Sequence, residues 1–134
     1  MSKSVFEFFS ANRPFYLATV NGDIPKVRPM GFIMYFEDKV WFGMGNHKNV
    51  YKQLQQNPNV EIVATAPDNN WLRLWGKAVF DDRAVLFQEA LKAMPHLKDI
   101  YPPDAPYKMA IFHLKEATAQ FLEITGTPIR EVKF

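Results

Sequence analysis

The sequence predicts a mostly β domain: a small antiparallel β-barrel of six to seven strands, its gaps plugged by short helices. Three observations predict it. Aromatic residues make up 15% of the 134 residues, 12 of them Phe, and aromatic and β-branched side chains suit a half-buried pleated surface. Ten prolines argue against an all-helical chain. Most of the apolar runs are separated by turns too short for a crossover, which requires antiparallel neighbours.

The elements follow in order. Ser4-Val5-Phe6-Glu7 has the form of a capping box, Ser at the N-cap and Glu at N3. Val5, Phe8 and Phe9 follow at helical spacing, and Asn12 and Pro14 end a short helix that covers one barrel opening. Phe15 to Val20 reads as a strand, and Asn21-Gly22 as a hairpin signal. Lys26 to Phe36 reads as one long strand. Lys26, Arg28, Met30, Phe32, Met34 and Phe36 share one of its faces. Pro29 marks an edge or a bulge, and Gly31 permits close approach to the backbone.

Glu37-Asp38-Lys39 is a turn, and Val40 to Met44 a short strand. Gly45 breaks it, and Asn46 stands where an N-cap belongs, ahead of a helix from His47 to Gln56. Asn57-Pro58 stops that helix. Val60 to Ala66 and Trp71 to Phe80 are strands around a turn at Pro67-Asp68-Asn69-Asn70. Asp81 or Asp82 caps a helix to Ala93, which Pro95 ends. A proline-rich loop, His96 to Pro106, leads to two strands, Lys108 to Lys115 and Thr118 to Thr125. The tail from Ile129 to Phe134 alternates and can add to a sheet.

A net charge of +2, well interspersed, gives no nucleic-acid footprint. No apolar run is long enough to span a membrane, and the N-terminus lacks the pattern of a signal peptide, so a cytoplasmic location is expected. The absence of Cys excludes disulfides, thiolate metal sites and Cys nucleophiles. His47, His96 and His113 show no metal-ligand spacing, and none of the serines stands in a nucleophile elbow.

The chemistry concentrates between Lys26 and Asn57. A lysine in the first turn of a helix opposes the macrodipole, so Lys48 is locally unfavourable unless an anion sits at that helix start. Asn46 adds an amide, and Arg28 a planar fork suited to phosphate. The bland alternative makes Lys48 a solvated lysine and pairs Arg28 with Glu37 or Asp38. Taken with Pro29 and Gly31, the residues favour an anionic, flat, apolar-bodied ligand. Trp71, Arg73 and Trp75 form a second cluster, either a stacking face for a ring or an aromatic core face with Arg73 reaching solvent.

The order PKVRPMGF, then KVWFGMGNHKNVYKQLQQNPNVEIV, then WLRLWGKAVF resembles the pyridoxamine 5'-phosphate oxidase-like flavoproteins. The resemblance covers nearly the whole chain, and FLEITGTPIREVKF resembles the ending of small, mostly uncharacterised members. It implies the FMN-binding split-barrel fold and a homodimer with two FMN molecules at the subunit interface. Arg28 and Lys48 would hold the phosphate, with Asn46 where Ser or Thr is commoner and His47 where some relatives carry a second basic residue. The backbone of Pro29, Met30 and Gly31, and that of Phe42 and Gly43, would border the isoalloxazine ring. Trp71 matches a position at which a partner subunit meets the flavin, with Arg73 close by.

The resemblance implies an FMN-dependent oxidoreductase of an unidentified small molecule, drawing electrons from NAD(P)H or another donor. The vitamin B6 oxidases carry a further C-terminal segment that binds pyridoxal; this sequence ends in IREVKF, which departs from that pattern. Two alternatives use the same fold: a non-catalytic flavin carrier or sensor, and a haem-binding barrel with His113 or His96 as ligand.

Overall fold

In the computed structural model, which describes residues 2–134, eight strands form one antiparallel sheet. They are β1 (Phe15–Asn21), β2 (Ile24–Met30), β3 (Ile33–Phe36), β4 (Lys39–Gly45), β5 (Asn59–Thr65), β6 (Trp71–Asp81), β7 (Met109–Leu122) and β8 (Pro128–Lys133). The order is β2-β1-β5-β6-β7-β4-β3, with β8 paired to β7 off that path. The two ends of the path, β2 and β3, are consecutive in the chain, with only Gly31 and Phe32 between them. Edges that close in sequence cannot be far apart in space, so the sheet curls into a barrel that is split between β2 and β3. This is the split barrel, with eight strands rather than six or seven.

Four helices complete the fold: α1 (Ser2–Ala11), α2 (Asn49–Gln56), α3 (Ala84–Ala93) and α4 (Leu97–Ile100). Helix α1 does plug the barrel: Val5 and Phe9 are fully buried in its core. Phe9 packs on Phe15 with ring centroids 5.3 Å apart, Phe15 on Phe42 at 5.8 Å, and Phe42 on Phe112 at 5.6 Å. A second, outer layer buries Phe32, Met34, Trp41 and Ile111 against Leu86, Ala90 and Leu97 of α3 and α4.

Several elements depart from the sequence reading, each for a physical reason. The capping box is not used: Ser4 lies within α1, which already includes Ser2. The long strand over Lys26 to Phe36 is broken at Gly31-Phe32, and its faces swap there. Arg28 lies opposite buried Leu17, and Met30 packs against the barrel core, whereas Phe32, Met34 and Phe36 belong to the outer layer. Two residues off the ladder are enough to rotate the chain and lose the alternation.

The two strands read after Pro106 are one, β7. Glu116 takes a positive φ of 52° inside it, and the register to β6 shifts there. The extra residue is absorbed as a bulge opposite Gly76. A Cβ on Gly76 would lie 2.9 Å from the Lys115 carbonyl oxygen, so only glycine fits the close approach of the two backbones. Helix α3 starts at Ala84 with Arg83 at its cap and no side-chain cap bond; Asp81 is committed to Arg83 instead. The tail pairs with β7 as β8, as its alternation predicts.

Candidate functional site

Helix α2 is the centre of the candidate site. It packs on β1 and β4, burying Val50 and Leu54. It begins at Asn49, two residues later than the sequence reading, and Lys48 itself occupies the cap with φ −84° and ψ 154°. No side chain caps this end, and no acidic residue lies in the first turn. The helix therefore presents its first amides and a lysine together, an arrangement receptive to an anion.

Asn46 does not cap α2, because a tertiary contact claims it. Its N–H donates to the Lys108 carbonyl at 2.9 Å, and its Oδ1 accepts from the Lys108 N–H at 3.0 Å. His47 turns back over Gly45, where a Cβ would strike its ring, and packs on Tyr107 with centroids 4.1 Å apart. Asn46, His47 and Lys48 thus link the end of β4 to α2 and to the segment before β7.

Arg28 reaches α2 from β2. Its Nη1 donates to Thr19 Oγ1 at 2.7 Å and to the Leu17 carbonyl at 3.2 Å, and its Nη2 donates to Gln53 Oε1 at 2.9 Å. Thr19, 2% exposed, donates in turn to Gln53 Oε1 at 2.6 Å. Neither Glu37 nor Asp38 pairs with Arg28; Glu37 is taken by Arg83, at 2.6 Å. Partial burial lowers the Arg28 pKa from its ordinary value, yet a guanidinium stays charged at any physiological pH. A guanidinium has five N–H donors, and the three bonds leave Nε–H and one Nη2–H open. Those two form one edge of the fork, the edge that grips an oxyanion with two hydrogen bonds. Gln53 thus ties Arg28 to the helix that Lys48 caps.

Pro29 and Gly31 are exposed and Met30 half-buried, at the rim where the barrel splits. Phe42 and Gly43 are buried in β4. The outer face at Gly43 is covered: a Cβ there would lie 2.7 Å from Met109 Cε and 3.5 Å from Phe32 Cδ2.

Trp71 and Arg73 stand apart. Arg73 lies over the Trp71 ring, 4.9 Å from its centroid. Its Nε is 3.4 Å from Glu61 Oε2, an ion pair at an angle that makes no hydrogen bond. Gly43 pairs with Ile111, which pairs with Asp81, and Trp71 is ten residues further along β6. At about 3.3 Å per residue, that is roughly 30 Å. The other way round the curled sheet, Arg73 shares a cross-strand row with Val63, Tyr16 and Pro29, three strands from β2.

The sequence reading did not identify a cleft of about 860 Å³ beside α2, walled by β6, β7, α3 and the segment from Tyr101 to Lys108, with Asn46 on its rim. The signal available in the sequence was the proline-spaced pair Tyr101 and Tyr107, read only as a loop.

A family profile described as pyridoxamine 5'-phosphate oxidase matches residues 1–121. The chain belongs to the pyridoxamine 5'-phosphate oxidase family. It is similar to the crystal structure of a NimC/NimA family protein from Clostridium acetobutylicum. That protein is 33% identical, with 99% of this chain and 92% of that chain covered and a TM-score of 0.91. Two more distant structures share the fold. One is a pyridoxamine 5'-phosphate oxidase-related, FMN-binding protein from Nostoc punctiforme, with 17% identity, 99% and 93% coverage, and TM-score 0.59. The other is a FAD-binding protein from Mesorhizobium loti, with 16% identity, 88% and 90% coverage, and TM-score 0.60. Comparison with curated proteins gives no match. Among the described residues, this member of the pyridoxamine 5'-phosphate oxidase family has no helix long and apolar enough to cross a membrane.

Proposed function

We propose that this protein binds FMN and is an oxidoreductase that reduces or oxidises a small molecule with it. The observation that carries the reading is the start of α2: an uncapped helix end with Lys48 at its cap, and Arg28 fastened to the same helix through Gln53 with one edge of its fork open. These groups suit a phosphate dianion. Lys48, Arg28 and the first amides of α2 would hold the phosphate, with Asn46 and His47 beside it. The backbone of Pro29, Met30 and Gly31 and of Phe42 and Gly43 would border the ring. Bound FMN would supply a ring that takes up and returns electrons; the protein positions it and tunes it. Family membership and the flavin-binding relatives support the cofactor class.

The site as proposed is shared in a homodimer. Trp71 and Arg73 lie on the outer face, three strands from Pro29 in the same cross-strand row, and a second copy packed there would bring them to its own flavin.

An absorbance scan of the purified protein, followed by titration with FMN, tests the reading. Lys48→Ala and Arg28→Ala are each expected to weaken FMN binding by roughly ten- to a hundredfold, the loss of a charged hydrogen bond. Unchanged affinity in both variants would rule the phosphate site out. Bleaching of bound flavin by NADH or NADPH separates an enzyme from a carrier. Light scattering at micromolar concentration reads the dimer.

A further inference from the structure

The cleft beside α2 is built as a binding site in its own right. Its volume, about 860 Å³, lies in the range of pockets that take small molecules. Its walls are aromatic, and the rings are left partly uncovered although their neighbours are not. Phe80 and Phe87 are half-buried, while Phe112 beside Phe80 and Leu86 beside Phe87 are fully buried. The rings of Tyr51 and Phe80 meet edge to face at 5.1 Å, and Tyr101 meets both Phe87, at 6.4 Å, and Tyr107, at 5.9 Å.

The outer wall is held in place. The segment from Tyr101 to Lys108 contains Pro102, Pro103 and Pro106, which restrict its backbone. The Tyr107 hydroxyl donates to the Ile100 carbonyl at 3.0 Å, and the two bonds to Asn46 fix the far end. A wall ordered before binding leaves less entropy to lose on binding.

The charges define the ligand. Asp81, Asp82, Arg83 and Lys108 line the cleft, two of each sign. Arg83 is matched by Asp81 and by Glu37. Among the described residues, Asp82 and Lys108 make no ion pair with any group. The lining side chains sum to no net charge, so the cleft wall itself has no excess charge to hold a dianion or a dication. The Asn46 Nδ2 amide makes no hydrogen bond within the chain, since only its Oδ1 is engaged, and so offers a donor at the rim.

We propose that this cleft binds a planar aromatic molecule of no net charge that carries an oxygen acceptor. That this ligand is the molecule the flavin acts on rests on the function proposed above; that the cleft binds it does not. Asn46 joins the two places, with one bond pair to the cleft wall and with Lys48, two residues on, at the start of α2.

The test uses protein labelled with ¹³C at its methionine methyl groups and 2-naphthol as the probe. Met109 lines the cleft and Met44 faces the barrel core; Met109→Leu assigns the reporting signal. The Met109 methyl is expected to shift and saturate as 2-naphthol is added, the ring current acting on a side chain of the cleft lining, while Met44 stays still. Naphthalene-1,5-disulfonate and cyclohexanol are expected to leave Met109 unmoved. Tyr101→Leu, or Tyr107→Leu should the first fail to fold, is expected to weaken the probe by roughly three- to tenfold, the scale of one aromatic contact.

No Met109 response up to the solubility limit of the probe overturns the proposal, as does an equal response to cyclohexanol. Loss of the response once FMN saturates the protein also overturns it, because the cleft would then be the seat of the flavin ring. FMN titration of the same sample, read by absorbance, tests the flavin separately. A naphthol response in a protein that takes up no FMN would sink the cofactor reading and leave the cleft assignment standing.

Discussion

Thr19 offers the sharpest test of how Arg28 is held. Thr19→Val keeps the shape of the side chain and removes only the hydroxyl, at a position 2% exposed. Two hydrogen bonds disappear: 2.7 Å from Arg28 Nη1 and 2.6 Å to Gln53 Oε1. Gln53 Oε1 keeps its bond from Arg28 Nη2, and Arg28 Nη1 keeps the Leu17 carbonyl. One partly buried guanidinium hydrogen is left without a partner, which costs about 1–3 kcal/mol. At roughly 3–5 °C per kcal/mol for a chain of this size, the melting temperature is expected to fall by roughly 3–15 °C.

Urea denaturation should show a lower midpoint at unchanged slope. The second readout is FMN affinity. If Thr19 and Gln53 hold the open edge of Arg28 in place, the same variant is expected to weaken FMN by up to roughly tenfold, although Thr19 needs no contact with the flavin. A loss of stability with no change in affinity would refute that reasoning, and would make Arg28 a brace between β2 and α2 and nothing more.

Two further outcomes follow from the packing. Phe9→Ala should cost about 3–5 kcal/mol, because Phe9 is fully buried between the Phe15 and Phe42 rings; a loss below 1 kcal/mol in urea denaturation would mean that α1 does not plug the barrel. His113 titrates below its ordinary value, chiefly because burial disfavours the imidazolium and secondarily because Lys39 repels it, while the Leu114 carbonyl and Asp81 oppose the shift. The unfolded chain then binds the proton at a higher pH than the folded one, so His113 contributes stability that is present above about pH 6.5 and is lost as pH falls from there through the lower folded value. His113→Phe is expected to flatten the stability profile between pH 7.5 and 5.5, measured by urea midpoints.

The parts of the fold that were legible in the sequence are those that local chemistry decides. Alternation gave β5 and β6, Asn21-Gly22 gave the first hairpin, and Asn57-Pro58 ended α2 at the observed place. The parts that were not legible depend on partners far away in the chain. Asn46 looks like a cap until Lys108, 62 residues on, takes its side chain. Lys115-Glu116 looks like a break until Gly76, on another strand, makes room for a bulge. The alternative that pairs Arg28 with Glu37 or Asp38 fails, because its partners are a threonine on β1 and a glutamine on α2; Thr19 and Arg28 point to the same face of the β1–β2 ladder. Within the candidate site, residue type drew attention to Lys48 and Arg28; only the fold shows that Arg28 is bonded to Gln53, on the helix that Lys48 begins.

The position of Trp71 bears most directly on how the proposed site is completed. Its indole N–H donates to the Glu123 carbonyl at 3.0 Å, and Arg73 covers its ring, so both side chains are fixed in place without a ligand. They lie on the outer face of the sheet, with Val63 and Tyr16 in the same cross-strand row as Arg73, and Tyr16 is 44% and nearby Val27 67% exposed. That row continues to Pro29 on β2, so an ordered aromatic and a cation stand three strands from the rim proposed for the flavin, beside exposed apolar side chains. A second copy packed over that face would bring them to its own flavin and would cover Val27 and Tyr16 in one contact. Val27→Lys is therefore expected to yield a monomer by light scattering and to lose FMN affinity together with the dimer. A monomeric Val27→Lys that binds FMN as well as the parent would confine the flavin to one chain and leave Trp71 and Arg73 outside the site.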